Sequence, residues 1–327
     1  MAFICLNDKA LYCRRIVTLI VGLFCQRKLS TQILLTGTGI FIKDIQRLDF
    51  TVSPHQLKRL FDNANRQWEG NDLTFLLGQM LYTDLADTHA NLLNRSNDLN
   101  VKYSNFYRFL QLSQPWIQLI NFNINAKKHL LISPDFGFET NNRFILEVFS
   151  SSLSFLFKNI DMRFSFPFSK PSNTSQYLKY LNSNITFDAP IMCVSASGYE
   201  RIELRQYDFD YRLAKSSAIQ KVQVSSKQIG LPRKVKSHLL KESFKLPQLA
   251  SNLDMSVATL KRRLKEFDTC FGQIQDEANL IKSLILLAEH DPSKTAKQLN
   301  EQDISNFRRA FKRWTGSLPS RYYLWLS

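Results

Sequence analysis

Residues 304–316 read Ile304-Ser305-Asn306-Phe307-Arg308-Arg309-Ala310-Phe311-Lys312-Arg313-Trp314-Thr315-Gly316. Phe307, Phe311 and Trp314 recur at i, i+4 and i+7, which is one apolar stripe of a helix, while Arg308, Arg309, Lys312 and Arg313 lie off it. The same pattern stands once earlier in the chain. There Leu260, Leu264 and Phe267 form the stripe and Lys261, Arg262, Arg263 and Lys265 lie off it. Arg262 and Arg309 occupy equivalent places, two residues after the first apolar position. Upstream of each copy a small residue precedes a leucine by three, at Ala250 to Leu253 and at Ala296 to Leu299. A short helix, a turn, and a second helix with a buried stripe and a basic outer face is the sequence form of a helix-turn-helix. A single basic amphipathic helix is usually a solvated surface helix; two copies with arginines in matched positions are hard to explain by solvation alone.

Outward from these repeats, the 327 residues are 44% hydrophobic and 22% charged, with ten Gly and ten Pro, so the chain is globular and long enough for two domains. Its net charge of +15 favours a polyanionic partner, nucleic acid or an acidic membrane surface. Residues 227–327 hold 18 basic against 10 acidic residues, a net of +8 in less than a third of the chain. From Tyr211 through Lys241 there is no acidic residue, which suits either phosphate contact or a solvated connector. The stretch Ile16 to Cys25 is apolar but too short to span a bilayer, and Gln26-Arg27-Lys28 follows it, so a core or dimer-facing helix is expected rather than a leader or anchor.

In the first two-thirds, Ser53-Pro54-His55-Gln56 is a helix start, with Ser53 as N-cap and Gln56 closing a capping box. Leu57, Leu60, Phe61, Ala64 and Trp68 then mark one apolar face. Further helices are expected from Asp72 to about Leu85 and from Phe106 to Ile120, the latter kinked near Pro115. The period then changes: Met162, Phe164, Phe166 and Phe168 alternate with Arg163, Ser165 and Pro167, as in a strand ending at Pro167 or lying at a sheet edge. Strands are also expected at His129 to Ser133, Ile185 to Phe187 and Ile191 to Val194, making this region α+β. Its aromatics, Trp68, Phe75, Phe106, Tyr107, Trp116, Phe122, Phe144, Phe155 and Phe157, are read as core before cavity lining.

Catalytic chemistry is thinly represented, and an enzyme is not expected. The five histidines, His55, His89, His129, His238 and His290, lack metal-ligand spacing, and Cys5, Cys13, Cys25, Cys193 and Cys270 form no CxxC, so neither metal, cofactor nor disulfide framework is indicated. Ser150 to Ser152 sit in no nucleophile-elbow context, Asp208 and Asp210 read as surface ion-pair partners, and no glycine cluster is followed by GK[ST].

With these motifs placed, the C-terminal hundred residues resemble the AraC/XylS family of bacterial transcription regulators. The resemblance is carried by Leu249-Ala250, Met255-Ser256, Thr259-Leu260, Arg262-Arg263-Leu264, and the run Phe307 to Gly316 followed by Pro319-Ser320 and Tyr322. Leu34 to Ile40 through Gly78, and the later aromatic strand region, are similar to the arabinose-binding-like effector domain of one branch of that family. The resemblance implies an α+β effector-binding or dimerisation domain over 1–215, a basic linker over 216–236 and an all-α DNA-binding domain with two helix-turn-helix units over 237–327. It implies a cytoplasmic, effector-responsive activator that binds double-stranded DNA, with a small-molecule effector, RNA polymerase and a second copy of the chain as partners and no membrane. The alternative is a regulator without a small ligand, whose N-terminal domain only dimerises or contacts RNA polymerase.

By matching position, the base-contacting candidates are Ala258, Thr259, Lys261 and Arg262 on the first recognition helix and Ile304, Ser305, Arg308 and Arg309 on the second. Lys265, Lys312 and Arg313, further along, are assigned to phosphate. Two positions depart from the family's pattern. Asp268 stands where a glycine commonly follows the first recognition helix, and Leu299-Asn300-Glu301 replaces Leu-Gly-Phe. Asp and Asn tolerate the left-handed backbone best among non-glycine residues. Glu301 is expected to forfeit about 1.5–3 kcal/mol of burial and to loosen the second unit.

Overall fold

The computed structural model describes residues 3–47, 49–124, 127–137, 141–172, 174–181, 184–196, 209–225, 229–299 and 303–322. Seven helices come first: α1 (Arg14–Gln26), α2 (Thr31–Leu35), α3 (Ile42–Ile45), α4 (Pro54–Gln67), α5 (Leu73–Met80), α6 (Thr88–Asn94) and α7 (Leu99–Phe109). A mixed region follows, β1 (Ile117–Ile124), β2 (Lys127–Pro134), α8 (Asn142–Leu156), β3 (Met162–Ser165), α9 (Ser175–Leu181), β4 (Asn184–Thr186) and β5 (Met192–Ala196). The elements described after these are helices: α10 (Phe209–Ser225), α11 (Leu231–Lys241), α12 (Leu246–Asn252), α13 (Val257–Glu266), α14 (Phe271–Leu287), α15 (Pro292–Gln298) and α16 (Ile304–Thr315). The fold is therefore an α+β N-terminal part followed by an all-α C-terminal part. No described helix is long and apolar enough to cross a membrane.

The apolar stretch at 16–25 forms the inner face of α1, where Ile16, Val17, Ile20 and Phe24 are buried. At the start of α4 the capping box closes as the sequence predicts: Ser53 Oγ accepts from Gln56 N at 3.2 Å and Gln56 Oε1 accepts from Ser53 N at 3.1 Å. Helix α5 lies close against α8 at Gly78, where a Cβ would stand 2.4 Å from the Val148 carbonyl oxygen. The serines of α8 make that approach polar but satisfied, with Ser151 Oγ donating to Phe75 O at 2.6 Å and Ser152 Oγ to Gly78 O at 3.0 Å. Their role is packing.

One expectation fails here for a physical reason. The helix expected over 106–120 ends at Phe109 and tightens into a 3-10 turn at Leu110–Leu112. Pro115 supplies no N–H and disfavours a helical residue before it. Beyond it the chain becomes strand β1, paired antiparallel with β2 from Ile117 opposite Pro134 to Ile124 opposite Lys127. Of residues 216–236, expected as a linker, 216–225 lie in α10 and 231–236 in α11. Tyr211, Ala214 and Ala218 of α10 are buried with Leu92 and Phe109, and Leu231, Val235 and Leu239 of α11 join the main core. Apolar residues at helical spacing lie beneath the basic run and fold it down.

The sheet runs β1-β2-β5-β3-β4, antiparallel except for the parallel β3–β4 pair. Strand β3 ends at Ser165, before Pro167, and is not at the edge. The nine core-aromatic candidates divide: Phe75, Phe106, Trp116 and Phe157 are fully buried, whereas Tyr107 and Phe155 reach the surface. Among the described residues no cluster of His, Cys, Asp or Glu is arranged to hold a metal ion, and all five cysteines are free thiols. Asp210 pairs with Arg95 at 2.8 Å, and Asp208 lies outside the described residues.

Candidate nucleic-acid interface

Helices α12 and α13 form the first two-helix unit. Between them Asp254 takes a left-handed backbone, φ +55, and Met255 N returns to Ala250 O at 2.9 Å, so the chain turns without a glycine. Ser256 caps α13, its Oγ accepting from Thr259 N at 3.1 Å. Leu260, Leu264 and Phe267 are buried, and they pack with Leu249, Ala250 and Leu253 of the preceding helix and turn. After α13, Asp268 adopts φ +56, the left-handed geometry expected of a glycine substitute.

The second unit, α15 and α16, has side-chain caps and a buried stripe of its own. Asp291 caps α15 by accepting from Ser293 N at 2.8 Å and Lys294 N at 3.1 Å. Asp303 caps α16 through Ser305 N at 3.2 Å, and Gly316 ends that helix with φ +72. Phe307 and Phe311 are buried with Ala296 and with Leu280, Ile281 and Leu284 of α14. Tyr322 closes this core by donating its hydroxyl to Leu284 O at 2.8 Å. Asn300, expected to keep the turn, and Glu301, the departure expected to weaken this unit, lie outside the described residues. Helix α14 joins the two units, and α11 packs along it.

On both α13 and α16 the exposed face follows one spacing. Ala258, Lys261, Arg262 and Lys265 are exposed at i, i+3, i+4 and i+7 of α13, and Ser305, Arg308, Arg309 and Lys312 are exposed at the same intervals on α16. Each residue in the second set lies 47 positions after its counterpart, as Phe307 and Phe311 do after Leu260 and Leu264. Thr259 and Ile304, the other base-contact candidates, sit half-buried at the margin of this face. Thr259 is partly occupied by the cap, its hydroxyl 2.9 Å from that of Ser256.

The arginines are held but not covered. Arg262 Nη1 lies 2.8 Å from Glu266 Oε1 one turn on, with both side chains open to solvent, an exposed pair worth about 0–1 kcal/mol and therefore cheap to exchange for another acceptor. Arg309 Nη2 donates to Asn306 Oδ1 at 2.6 Å. Arg313, assigned to phosphate with Lys265 and Lys312, is instead tied back to Asp276 of α14 at 2.8 Å. Arg263 turns away from the exposed face, its guanidinium 5.7 Å from the Phe3 ring centroid and 3.8 Å from Met255 Sδ.

Contacts that no local sequence pattern announces join the two parts of the molecule. Lys236 of α11 is buried between Glu277 of α14, at 2.7 Å, and Ser133 of β2, at 2.5 Å. Ser133 Oγ also lies 2.6 Å from Glu277 Oε1. Beside it Asp135 is fully buried; burial pushes its carboxyl up, and Arg233, 3.9 Å away, opposes that shift. Lys58 of α4 pairs with Asp268 at 2.7 Å, and Gly137 abuts the Phe267 backbone. Phe122, Ile124, Leu131, Ile191 and Cys193 from the sheet share one apolar cluster with the core of the second unit. These contacts leave both basic faces open.

Similarities to known proteins accompany this geometry. The chain is 33% identical over 106 residues to an uncharacterized HTH-type transcriptional regulator of Mycobacterium tuberculosis, covering 31% of each protein. It is 28% identical over 169 residues to the ornithine utilization regulator of Pseudomonas aeruginosa, covering half of each. The matched part thus spans about a third to a half of the length of these curated relatives. Among solved structures, the transcriptional regulator CdpR from Pseudomonas aeruginosa aligns over 97% of this chain and 100% of its own, at a TM-score of 0.44 and 14% identity. No family model matches the chain.

Proposed function

We propose that this protein is a sequence-specific DNA-binding transcription regulator of the AraC/XylS kind, whose two helix-turn-helix units enter successive major grooves on one side of the duplex. The observation that carries this is the pair of exposed basic faces on α13 and α16, alike in spacing and each backed by a buried two-helix core. The sequence similarity to two proteins named as regulators supports it. In this reading Ala258, Lys261, Arg262, Ser305, Arg308 and Arg309 face base edges, with Thr259 and Ile304 at the margin. Lys265 and Lys312 face phosphates, and Arg313 joins them once Asp276 releases it. The N-terminal domain senses a small effector, pairs protomers and activates transcription with RNA polymerase in the cytoplasm. A ligand that prefers one arrangement of the two domains shifts DNA affinity by that preference.

Capture of random-sequence and genomic DNA by the purified chain at several salt concentrations, followed by sequencing, tests this. The expected result is a bipartite motif with half-elements about one helical turn, roughly 34 Å, apart. Arg262→Ala and Arg309→Ala each relax preference at particular base pairs by about 1–3 kcal/mol. Steep salt dependence with no motif means phosphate binding alone and overturns the assignment of readers.

A further inference from the structure

A cavity of about 740 Å³ opens in the N-terminal part between α1, the start of α6, the 3-10 turn at Leu110–Leu112 and α10. That volume is in the ordinary range for small-molecule sites. None of the nine core aromatics lines it; Tyr12, Phe50, Ala86 and Leu112 contribute apolar surface. Its charged side chains are Arg14, Arg15 and Lys221 against Asp84 and Asp87.

The balance of these charges selects the occupant. Arg14 spends its hydrogen bonds on neutral carbonyls, Ile45 O at 2.8 Å and Gln46 O at 3.5 Å, and no carboxylate among the described residues pairs with it. Asp84 is taken by Arg15 at 2.9 Å, and Arg15 Nε is buried with no hydrogen-bond partner among the described residues. One oxygen of Asp87 caps α6 by accepting from Ala90 N at 2.9 Å, and burial pushes that carboxyl up. Lys221 of α10 reaches across to Thr88 Oγ1 on α6. The acids are thus committed within the fold, while a guanidinium with only neutral partners stands at the wall.

We propose that this cavity binds a small organic acid, its carboxylate toward Arg14 and Arg15 and its apolar body against Phe50 and Leu112. The occupant bridges α1 and α6 to Gln220 and Lys221 of α10, the helix that precedes 226–228 and α11. Because α11 packs on α14, which carries both two-helix units, tightening α10 against the N-terminal part alters how those units are held. Only this last consequence rests on the DNA-binding reading; the site does not.

The test uses the full chain without DNA. Thermal shift and isothermal titration are run with benzoate, phenylacetate and hexanoate, with their primary amides, and with benzylamine. At least one acid is expected to bind saturably, about tenfold or more tighter than its amide, and about tenfold more weakly to Arg14→Gln. Gln220→Trp fills the mouth of the cavity from an exposed position on α10 and is expected to abolish binding while the chain stays folded. Preference for amides or the amine overturns the ligand class. Failure of every probe at roughly millimolar concentration overturns the site, as does acid binding undiminished in both variants. Failure of the DNA-capture experiment leaves each of these results standing.

Discussion

Gly137→Ala probes how the N-terminal part seats the first two-helix unit. Gly137 has φ +66, and a Cβ there would stand 2.1 Å from the Phe267 carbonyl oxygen, where ordinary contact begins at 3.4 Å. The end of α13 must therefore retreat by about the difference, and neither partner is a flexible side chain that can swing aside. The left-handed backbone costs an alanine about 1–2 kcal/mol, and an overpacked contact adds about 1–3 kcal/mol, so the total expected loss is about 2–5 kcal/mol. Gly37→Ala is the control: its φ is +70, but its nearest neighbours are Arg59 side-chain atoms at 3.6 and 3.8 Å, so it carries the backbone term alone. Urea unfolding near neutral pH compares the two stabilities, and amide hydrogen exchange over residues 264–272 reports whether the end of α13 has come loose. Gly137→Ala should lose clearly more stability than Gly37→Ala and exchange faster in that segment. Equal losses with unchanged exchange would mean that the two parts are not seated on each other in this way.

Three further outcomes follow from the packing. Glu277→Ala leaves the buried Lys236 ammonium without its carboxylate and should cost about 3 kcal/mol, the low end for a buried pair because Glu277 is a third exposed. Combining Lys236→Met with Glu277→Leu should restore most of that stability in urea melts, and no recovery would show that the loss is not an unpaired charge. Burial pulls the His89 imidazole from 6.5 down to about 3, so the unfolded chain takes up a proton that the folded chain refuses. The stability this gives is complete above about pH 6.5 and is lost as pH falls, about 1.4 kcal/mol per unit or about 2 kcal/mol by pH 5. His89→Gln should remove that slope; an unaltered slope places the titration elsewhere. Ser256→Ala removes the cap of α13 and should cost about 1 kcal/mol, read as faster amide exchange confined to the first turn of that helix.

Much of the C-terminal part is legible in the sequence because helical periodicity is local. Leu260, Leu264 and Phe267 reveal a buried stripe by spacing alone, and the repeat of that stripe 47 residues later reveals a second unit and its exposed face. The capping box at Ser53 and Gln56 and the left-handed turn at Asp268 are legible for the same reason, since each depends on neighbours within a few positions. Strand β1 is misread because the apolar residues of 106–120 satisfy a helical period until Pro115, and only pairing with β2 decides the conformation beyond it. The basic run at 211–241 reads as a connector because charge is visible in a sequence, whereas the burial of Ala214, Ala218 and Val235 depends on which surfaces lie opposite.

The two repeated basic helices, the change from helical to strand period and the basic chemistry offered to a polyanion are all written in local spacing and composition. How the parts are joined, and where a cavity opens, emerges only from the packed chain. Ser133 meets Glu277 across 144 positions, and Lys236 meets Ser133 across 103, with no local pattern linking them. The cavity draws Arg14, Phe50, Asp87, Leu112 and Lys221 from five separate stretches of chain. Periodicity reports which way a side chain faces on its own element; what it meets there is set by long-range packing, in which the whole chain takes part.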